Sequence, residues 1–319
     1  MDLFSEQIGA PFEKIESFSS SVGGSPSNVA IGASRLGLKT AVLTAVGQDK
    51  VGSFVRRYLT DEGVDTQFVL TKPEARTGMA VVGIEPPSNF PLTFYRENPA
   101  DILVSIEDAL SLPFDATKVL LLSGTALAKE PCRSATIVAA EQAKCAGVTV
   151  FLDLDLRPDQ WRDPRAYGTS LRSLLPLIDI VIGTEEESYA ALFDNKNDNS
   201  STAISDLTEE QIDELNSHLH QFIKGDKAWV LKRGANGVSV FASGNVKNIS
   251  GFAVQVVSTV GAGDAFASGL IYAYLQTWDW EESAKFANAC GAIVVSRHGC
   301  SAAMPYLEEV SSFIEQSQH

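Results

Sequence analysis

The sequence lacks several features that mark large classes of protein. Its 319 residues include only four cysteines, none in a CxxC pair, which is too few for a disulfide framework. The four histidines show no HExxH spacing, so a zinc site is not expected. No apolar run approaches the roughly 20 residues that span a bilayer, and no basic segment precedes an apolar one at the N-terminus. We therefore expect a cytoplasmic protein without a membrane partner.

Positive charge is also scarce. The chain has 25 Lys and Arg residues against 40 Asp and Glu residues, a formal net charge of −15. Because so acidic a chain repels phosphate backbones, we expect no nucleic-acid partner. Any phosphate site must therefore depend on a local positive field, from backbone N–H groups, a helix start, a metal ion or a few cationic side chains.

The remaining pattern alternates strand and helix signals. Short apolar runs occur at residues 40–46, 118–124, 148–155, 178–184 and 228–234, and helical segments separate them. The last four runs end in Gly, Asp or Thr. This alternation predicts a mostly parallel sheet covered by helices on both faces. Ligands of such sheets gather at the carboxyl ends of the strands. Asp153, Asp155 and Lys232 stand at such ends.

Two segments interrupt this rhythm, at about residues 8–23 and 76–97. The second is typical of two strands joined by a turn at residues 86–89. A small sheet projecting from the α/β core could cover a cleft as a lid. A hairpin without a functional role is the alternative.

The strongest local motif is STVGAGDAFASG, residues 258–269. Gly261 and Gly263 allow close backbone approach, and the predicted helix start supplies unpaired N–H donors for an anion. A carboxylate repels phosphate, so Asp264 makes sense there if it accepts a proton from an attacking hydroxyl. A simple helix N-cap is the other interpretation of Asp264. The chain has no GxxxxGK[ST] motif, which excludes a P-loop enzyme.

This motif, followed by AKFANACGAIVVSRHG at residues 284–299, resembles the C-terminal signature of the ribokinase-like, or PfkB, carbohydrate kinases. GGSPSN at residues 23–28, followed by AIGASRLGLKTAVLTAVGQDKVG, resembles their N-terminal signature. The resemblance spans essentially the whole chain. It implies a single ribokinase-like domain over residues 1–319, a three-layer α/β/α sandwich with a mostly parallel central sheet and a small β-sheet lid.

The resemblance also implies roles for particular residues. Asp264 would be the catalytic base of an ATP-dependent carbohydrate kinase, beside an anion hole formed by the N–H groups of Gly261, Ala262, Gly263 and Asp264. The positions that match the sugar-binding residues are Asp2, Gly24, Ser25 and Asn28. The family's first strand normally precedes the residue matched by Asp2, which leaves open a truncated sequence or a sheet that lacks a strand.

ATP and Mg²⁺ are the cofactors that the resemblance implies. The positions that match the nucleotide-binding residues are Thr184, Lys232, Gly234, Gly237 and Asn288. Glu187 matches the acidic end of a motif that organises Mg²⁺ through water, although Thr184 replaces the usual Asn of that motif. Ser258 replaces an Asp that helps to form a monovalent cation site, so the sequence does not predict potassium activation.

The acceptor is indicated by three strings: GGSPSN, FYRENPAD (residues 94–101) and GTEEE (residues 183–187). They are most similar to family members that phosphorylate 5-dehydro-2-deoxygluconate, a keto-deoxy sugar acid of inositol catabolism. Arg96 and Arg157 are candidates to bind its carboxylate, or else structural arginines. Phosphorylation of 2-keto-3-deoxygluconate or fructose, and a non-catalytic relative that binds sugar or nucleotide, remain alternatives. The family often dimerises through its lid sheets, so we expect a homodimer.

Overall fold

The computed structural model describes residues 1–85, 90–163, 165–193, 207–223 and 227–317. The turn that the sequence predicts at residues 86–89 lies outside these residues. The chain divides into two compact units, unit 1 (Met1–Val104 with Gly251–His319) and unit 2 (Ser105–Ser250). Asp264 therefore belongs to unit 1, and Lys232 belongs to unit 2.

The described residues contain twelve short strands. In chain order they are β1 (Asp2–Ser5), β2 (Phe18–Ser21), β3 (Thr44–Val46), β4 (Val69–Thr71), β5 (Met79–Val82), β6 (Leu92–Tyr95), β7 (Val119–Ser123), β8 (Thr149–Asp153), β9 (Ile180–Thr184), β10 (Ala228–Lys232), β11 (Val238–Ala242) and β12 (Asn245–Ile249).

Ten α-helices accompany these strands in the described part of the chain. They are α1 (Ser25–Arg35), α2 (Lys50–Asp61), α3 (Ile106–Leu110), α4 (Cys132–Cys145), α5 (Ala166–Leu174), α6 (Glu185–Leu192), α7 (Glu209–Phe222), α8 (Ala262–Leu275), α9 (Trp280–Val295) and α10 (Leu307–Gln316). No helix among the described residues combines the length and the apolar character that a bilayer span requires.

Unit 2 is built on a six-stranded sheet in the order β12-β11-β10-β9-β8-β7. Strands β7 to β10 run parallel, and β11 and β12 continue the sheet antiparallel. Consecutive residues of β10 and β11 are buried. Because side chains alternate between the faces of a sheet, both faces of these strands must be covered. The sequence-based prediction of a mostly parallel, buried sheet is thus confirmed in unit 2.

Unit 1 contains a separate four-stranded sheet in the order β2-β1-β5-β6. Strands β1 and β5 are parallel, and the outer pairs are antiparallel. The register places Ser21, Asp2, Ala80 and Phe94 in one row of what we call the inner face, which also carries the buried Phe4 and Val82. Leu3 and Val81 lie on the opposite, outer face, together with Phe18 and Tyr95.

This sheet draws β2, β5 and β6 from the two segments that interrupt the sequence pattern. The paired strands predicted within residues 76–97 are confirmed as β5 and β6. Asp2 opens β1, an interior strand of the sheet. That this sheet acts as a lid on a single kinase domain stays a prediction.

One local prediction needs correction. The apolar run at residues 40–46 forms a strand only from Thr44 onward, because its partner β4 has three residues and Ala41 makes an isolated bridge. Helix α1 has Gly24 as its N-cap and Pro26 in its first turn, while the Ser25 hydroxyl has no hydrogen-bond partner among the described residues.

Helix α8 occupies the interior of unit 1. Its residues from Ala265 to Ile271 are all buried, and it packs against α1 and α9. Because α1 and α8 are neighbours, the first turn of each helix can place a side chain beside the other.

Candidate active site

The candidate active site of unit 1 is built on the first turn of α8. Gly261 is the N-cap of this helix, with the left-handed φ of 86°. A Cβ at this position would approach Cys300 Sγ to 2.5 Å, so conformation and space both favour glycine here. The first N–H groups of a helix have no intrahelical partners and lie at the positive end of its dipole. The turn therefore has the geometry of an anion site.

Asp264 is the third residue of α8. The interpretation of Asp264 as a helix N-cap is therefore wrong, since Gly261 holds that position. The Asp264 Oδ2 atom accepts a 2.7 Å hydrogen bond from Asn28 Nδ2 in α1, and Cys300 Sγ lies 3.9 Å from the same oxygen. The carboxylate is thus fixed beside the anion-binding turn by a residue 236 positions away in the chain.

Asn28 is almost fully buried, with 3% exposure, and the nitrogen and oxygen of its side-chain amide have different surroundings. Its Nδ2 donates to Asp264, while its Oδ1 is buried without a hydrogen-bond partner among the described residues. The Ser25 hydroxyl, one turn earlier in α1, is also buried without a partner. Both atoms have the capacity to bind a ligand hydroxyl.

Asp2 is a second carboxylate, after Asp264, among the predicted site residues of unit 1. A Cβ on Gly23 would overlap the Asp2 carboxylate, so that carboxylate lies directly against the backbone that leads into α1. Burial raises the pKa of Asp2, and the neighbouring positive charges of the Met1 ammonium and Arg96 oppose this rise. Arg96 follows β6 and forms an ion pair with Asp101. Asp2 and Arg96 thus stand within electrostatic range of each other.

In unit 2, polar side chains collect at the carboxyl ends of β8, β9 and β10. Lys232 Nζ lies 3.3 Å from Asp153 Oδ1, and the side chains are 16% and 4% exposed. Burial acts to lower the pKa of Lys232, but the carboxylates of Asp153 and Glu187 outweigh it, and the pKa is raised. Lys232 therefore stays charged at the end of β10.

Glu187 and Thr184 form a capping box at the start of α6. The Thr184 N–H donates to Glu187 Oε2 at 2.8 Å, and the Glu187 N–H donates to Thr184 Oγ1 at 3.2 Å. Glu187 Oε1 accepts a further bond from the Leu156 N–H at 3.1 Å. Both carboxylate oxygens keep lone pairs for water. No group of three metal-ligating side chains occurs among the described residues.

Arg157 and the turn after β10 complete this edge of unit 2. Arg157 Nε lies 3.1 Å from Asp155 Oδ1, and the arginine side chain is 52% exposed. Gly234 and Gly237 have φ angles of 54° and 85° in the turn that joins β10 to β11. Asn288, by contrast, lies on α9 in unit 1 and is half-buried.

The structure thus gathers the sequence-predicted residues into two groups. Unit 1 brings the α8 turn together with Asn28, and its inner sheet face carries Asp2. Unit 2 brings Lys232, Glu187 and Thr184 to one edge of its sheet. Sequence reasoning missed Cys300 as a neighbour of Asp264, because no local pattern links a cysteine to a turn so far away in the chain.

A glycine turn that opens a helix can bind a phosphate, and a carboxylate in the first turn of that helix can act as a general base, which together suit phosphoryl transfer. The sequence pattern of the pfkB family carbohydrate kinases matches residues 2–307 of this chain. The chain therefore belongs to the PfkB family of carbohydrate kinases, as the sequence analysis predicts.

Relatives from two bacteria agree with this assignment. The chain is 35% identical to 5-dehydro-2-deoxygluconokinase from Geobacillus thermodenitrificans, across 99% of this chain and 90% of the relative. It is 34% identical to the protein of the same name from Shouchella clausii, across 100% of this chain and 94% of the relative.

Solved structures confirm the ribokinase-like fold. Fructokinase from Vibrio cholerae, in a form bound to fructose, ADP and calcium ion, superposes with a TM-score of 0.80 at 29% identity, across 98% of this chain and 95% of that one. Fructokinase from Xylella fastidiosa with bound ATP gives a TM-score of 0.82 at 25% identity, across 100% and 96%.

Replacing Asp264 tests its assignment as the base. We expect Asp264→Asn to lower kcat by at least about 100-fold, because the amide cannot take the proton of the attacking hydroxyl. A coupled assay of ADP release measures this. Asp115→Asn is the matched control, since it removes an exposed carboxylate of unit 2 and should leave kcat unchanged. Near-full turnover by Asp264→Asn would contradict the assignment.

Replacing Asn28 tests the hydrogen bond to Asp264. In Asn28→Asp, the new carboxylate would face that of Asp264. Repulsion between the two would raise the pKa at which the pair binds a proton. We therefore expect the acid limb of the kcat/KM profile to move upward by about one pH unit or more. Asn245→Asp, which adds the same charge at an exposed site in unit 2, should leave the profile in place. Identical shifts in both variants would refute a local effect.

Proposed function

We propose that this carbohydrate kinase transfers the γ-phosphoryl group of ATP to a hydroxyl of 5-dehydro-2-deoxygluconate. The observation that carries the chemistry is the Asp264 carboxylate, held by Asn28 at the start of α8. The name shared by the relatives at 34–35% identity supports the choice of acceptor.

The α8 turn fits the demands of phosphoryl transfer. Asp264 accepts the proton of the attacking hydroxyl as the new oxygen–phosphorus bond forms and the bond to the ADP oxygen breaks. The N–H groups of Gly261 and Gly263 stabilise the negative charge that develops on the transferred group. The Ala262 N–H, which donates to the Thr259 carbonyl oxygen at 3.3 Å, would have to leave this partner or share the hydrogen bond to take part. An acidic chain can therefore handle polyphosphate with backbone dipoles.

The residues assigned to nucleotide binding also fit an anionic ligand. Lys232 keeps its positive charge, and Gly234 exposes backbone in the turn that follows β10, whereas Gly237 in the same turn is buried. Thr184 would take part through its position at the start of α6. Asn288, on α9 of unit 1, matches a family residue beside the adenine and stays a predicted nucleotide-binding residue. The fructokinases of known structure, with bound ATP or ADP, support this assignment.

Glu187 is the residue that would hold Mg²⁺. Its two carboxylate oxygens already accept backbone N–H groups, so the remaining lone pairs suit a hydrated ion rather than a bare one. Mg²⁺ dehydrates reluctantly and usually keeps several waters, which agrees with this arrangement. When bound, the ion neutralises phosphate charge.

Arg96 distinguishes a sugar-acid acceptor from a neutral sugar. The positive charge of its guanidinium acts to lower the pKa of Asp2, a residue of the sugar-binding group. The ion pair with Asp101 occupies only some of the five N–H donors of Arg96. Arg157 would serve the same purpose less directly, because Asp155 pairs with it. Fructose is the second candidate acceptor, favoured by the likeness to the Vibrio cholerae fructokinase.

An acceptor screen with an Arg96 variant tests this choice. We expect the highest kcat/KM with 5-dehydro-2-deoxygluconate among that compound, 2-keto-3-deoxygluconate, fructose and ribose. Arg96→Gln should raise KM for the sugar acid at least about 10-fold, since a charge-assisted hydrogen bond is lost, and should change KM for fructose much less. Fructose as the best substrate, or equal effects on both sugars, would contradict the acid-binding role.

A cytoplasmic homodimer completes the proposal. ATP is available in the cytoplasm, and the outer face of the unit 1 sheet offers apolar surface. Leu3, Val81 and Met79 are half-buried on this face, while Phe18 and Tyr95 are exposed. A second copy of the same face would cover these side chains.

Light scattering after size exclusion tests the dimer. We expect a mass of about twice the 34.2 kDa of the chain. Val81→Lys places a charge in the centre of the outer face and should yield monomers. Leu110→Lys is the control, because it changes an exposed leucine of unit 2. A monomeric wild-type protein would rule out this interface.

A further inference from the structure

Ser21 carries a buried hydroxyl that no other part of the proposed function uses. The residue ends β2, is 4% exposed, and its Oγ has no hydrogen-bond partner among the described residues. An unsatisfied buried hydroxyl destabilises the folded protein. Such a group therefore calls for a reason other than stability.

Two neighbouring serines, unlike Ser21, have hydrogen-bond partners for their hydroxyls. Ser19, two residues earlier on the same face of the sheet, donates to the Phe4 carbonyl oxygen at 3.4 Å. Ser301 donates to the Val22 carbonyl oxygen, next to Ser21, at 2.6 Å. Backbone carbonyl oxygens thus accept hydrogen bonds from Ser19 and Ser301, whereas the Ser21 hydroxyl has no partner among the described residues.

Its position connects Ser21 with the sugar-binding group. Ser21 is the cross-strand partner of Asp2, so the two side chains lie side by side on the inner face, with Cβ atoms about 5 Å apart. Only three residues separate Ser21 from Ser25, the first residue of α1. Ser25 Oγ and Asn28 Oδ1 are likewise buried without partners.

Asp2, Asn28 Oδ1 and the serine hydroxyls differ in whether they can donate a hydrogen bond. Ionised Asp2 and the Asn28 Oδ1 atom can only accept hydrogen bonds, whereas a serine hydroxyl can also donate. Sugar hydroxyls can satisfy the acceptors, but a carbonyl oxygen needs a donor. Ser21 lies next to Asp2 and can supply it.

We propose that Ser21 Oγ donates a hydrogen bond to the carbonyl oxygen of a keto sugar whose neighbouring hydroxyl binds Asp2. Ser21 thereby contributes to the selection of keto acceptors. This inference rests on the proposed function, because it assigns a residue to the acceptor of the same site.

The test compares Ser21→Ala with Ser312→Ala. Ser312 is an exposed serine of α10 in the same unit and belongs neither to the site nor to the outer face, so its replacement should change neither KM nor Tm. For Ser21→Ala we expect KM for the best keto substrate to rise about 10-fold, the effect of losing one hydrogen bond to a ligand. We expect the Tm of the free protein to stay equal or rise, because an unsatisfied hydroxyl has been removed.

The possible outcomes separate this inference from the proposed function. An unchanged KM for Ser21→Ala, with an active wild-type enzyme, overturns the role of Ser21 alone. A Tm lower by more than about 3 °C assigns Ser21 a structural role and also overturns the inference. If the wild-type protein consumes no ATP with any of the four sugars, the proposed function fails, and the role of Ser21 fails with it.

Discussion

The hydrogen bond between Asn28 and Asp264 is the interaction on which the site of unit 1 depends. It joins the first turns of α1 and α8 and fixes the carboxylate beside the N–H groups of the glycine turn. Packing of α8 against α1 brings the two turns together. Nδ2 of this buried amide orients the base, while Oδ1 has no hydrogen-bond partner among the described residues and is left for a ligand.

Electrostatics explains why the site takes this form in a chain of net charge −15. Backbone N–H groups at a helix start attract an anion without adding a titratable charge. The candidate cationic side chains of both units are paired with carboxylates: Arg96 with Asp101 in unit 1, and Arg157 with Asp155 and Lys232 with Asp153 in unit 2. These pairs keep each cation in place, and a bound anion must compete with or join the existing partner.

Glu187 illustrates how one side chain can serve structure and function together. The T-x-x-E spacing at residues 184–187 fits a capping box as well as the acidic motif of the family, and the structure has the capping box. Thr184 in place of the family's Asn therefore preserves the start of α6. A water-mediated role of Glu187 toward Mg²⁺ is compatible with this cap, because the carboxylate retains lone pairs.

The sequence alone determined the parallel buried sheet of unit 2, the hairpin of β5 and β6, the glycine turn at Gly261 and the PfkB family, because each depends on a local pattern or a contiguous motif. Only the tertiary structure decided that Asp264 is held by Asn28 rather than capping its helix, that Cys300 lies against it, and that the Ser21 hydroxyl has no partner among the described residues. Such contacts depend on the packing of elements far apart in the chain, and local periodicity carries no information about them.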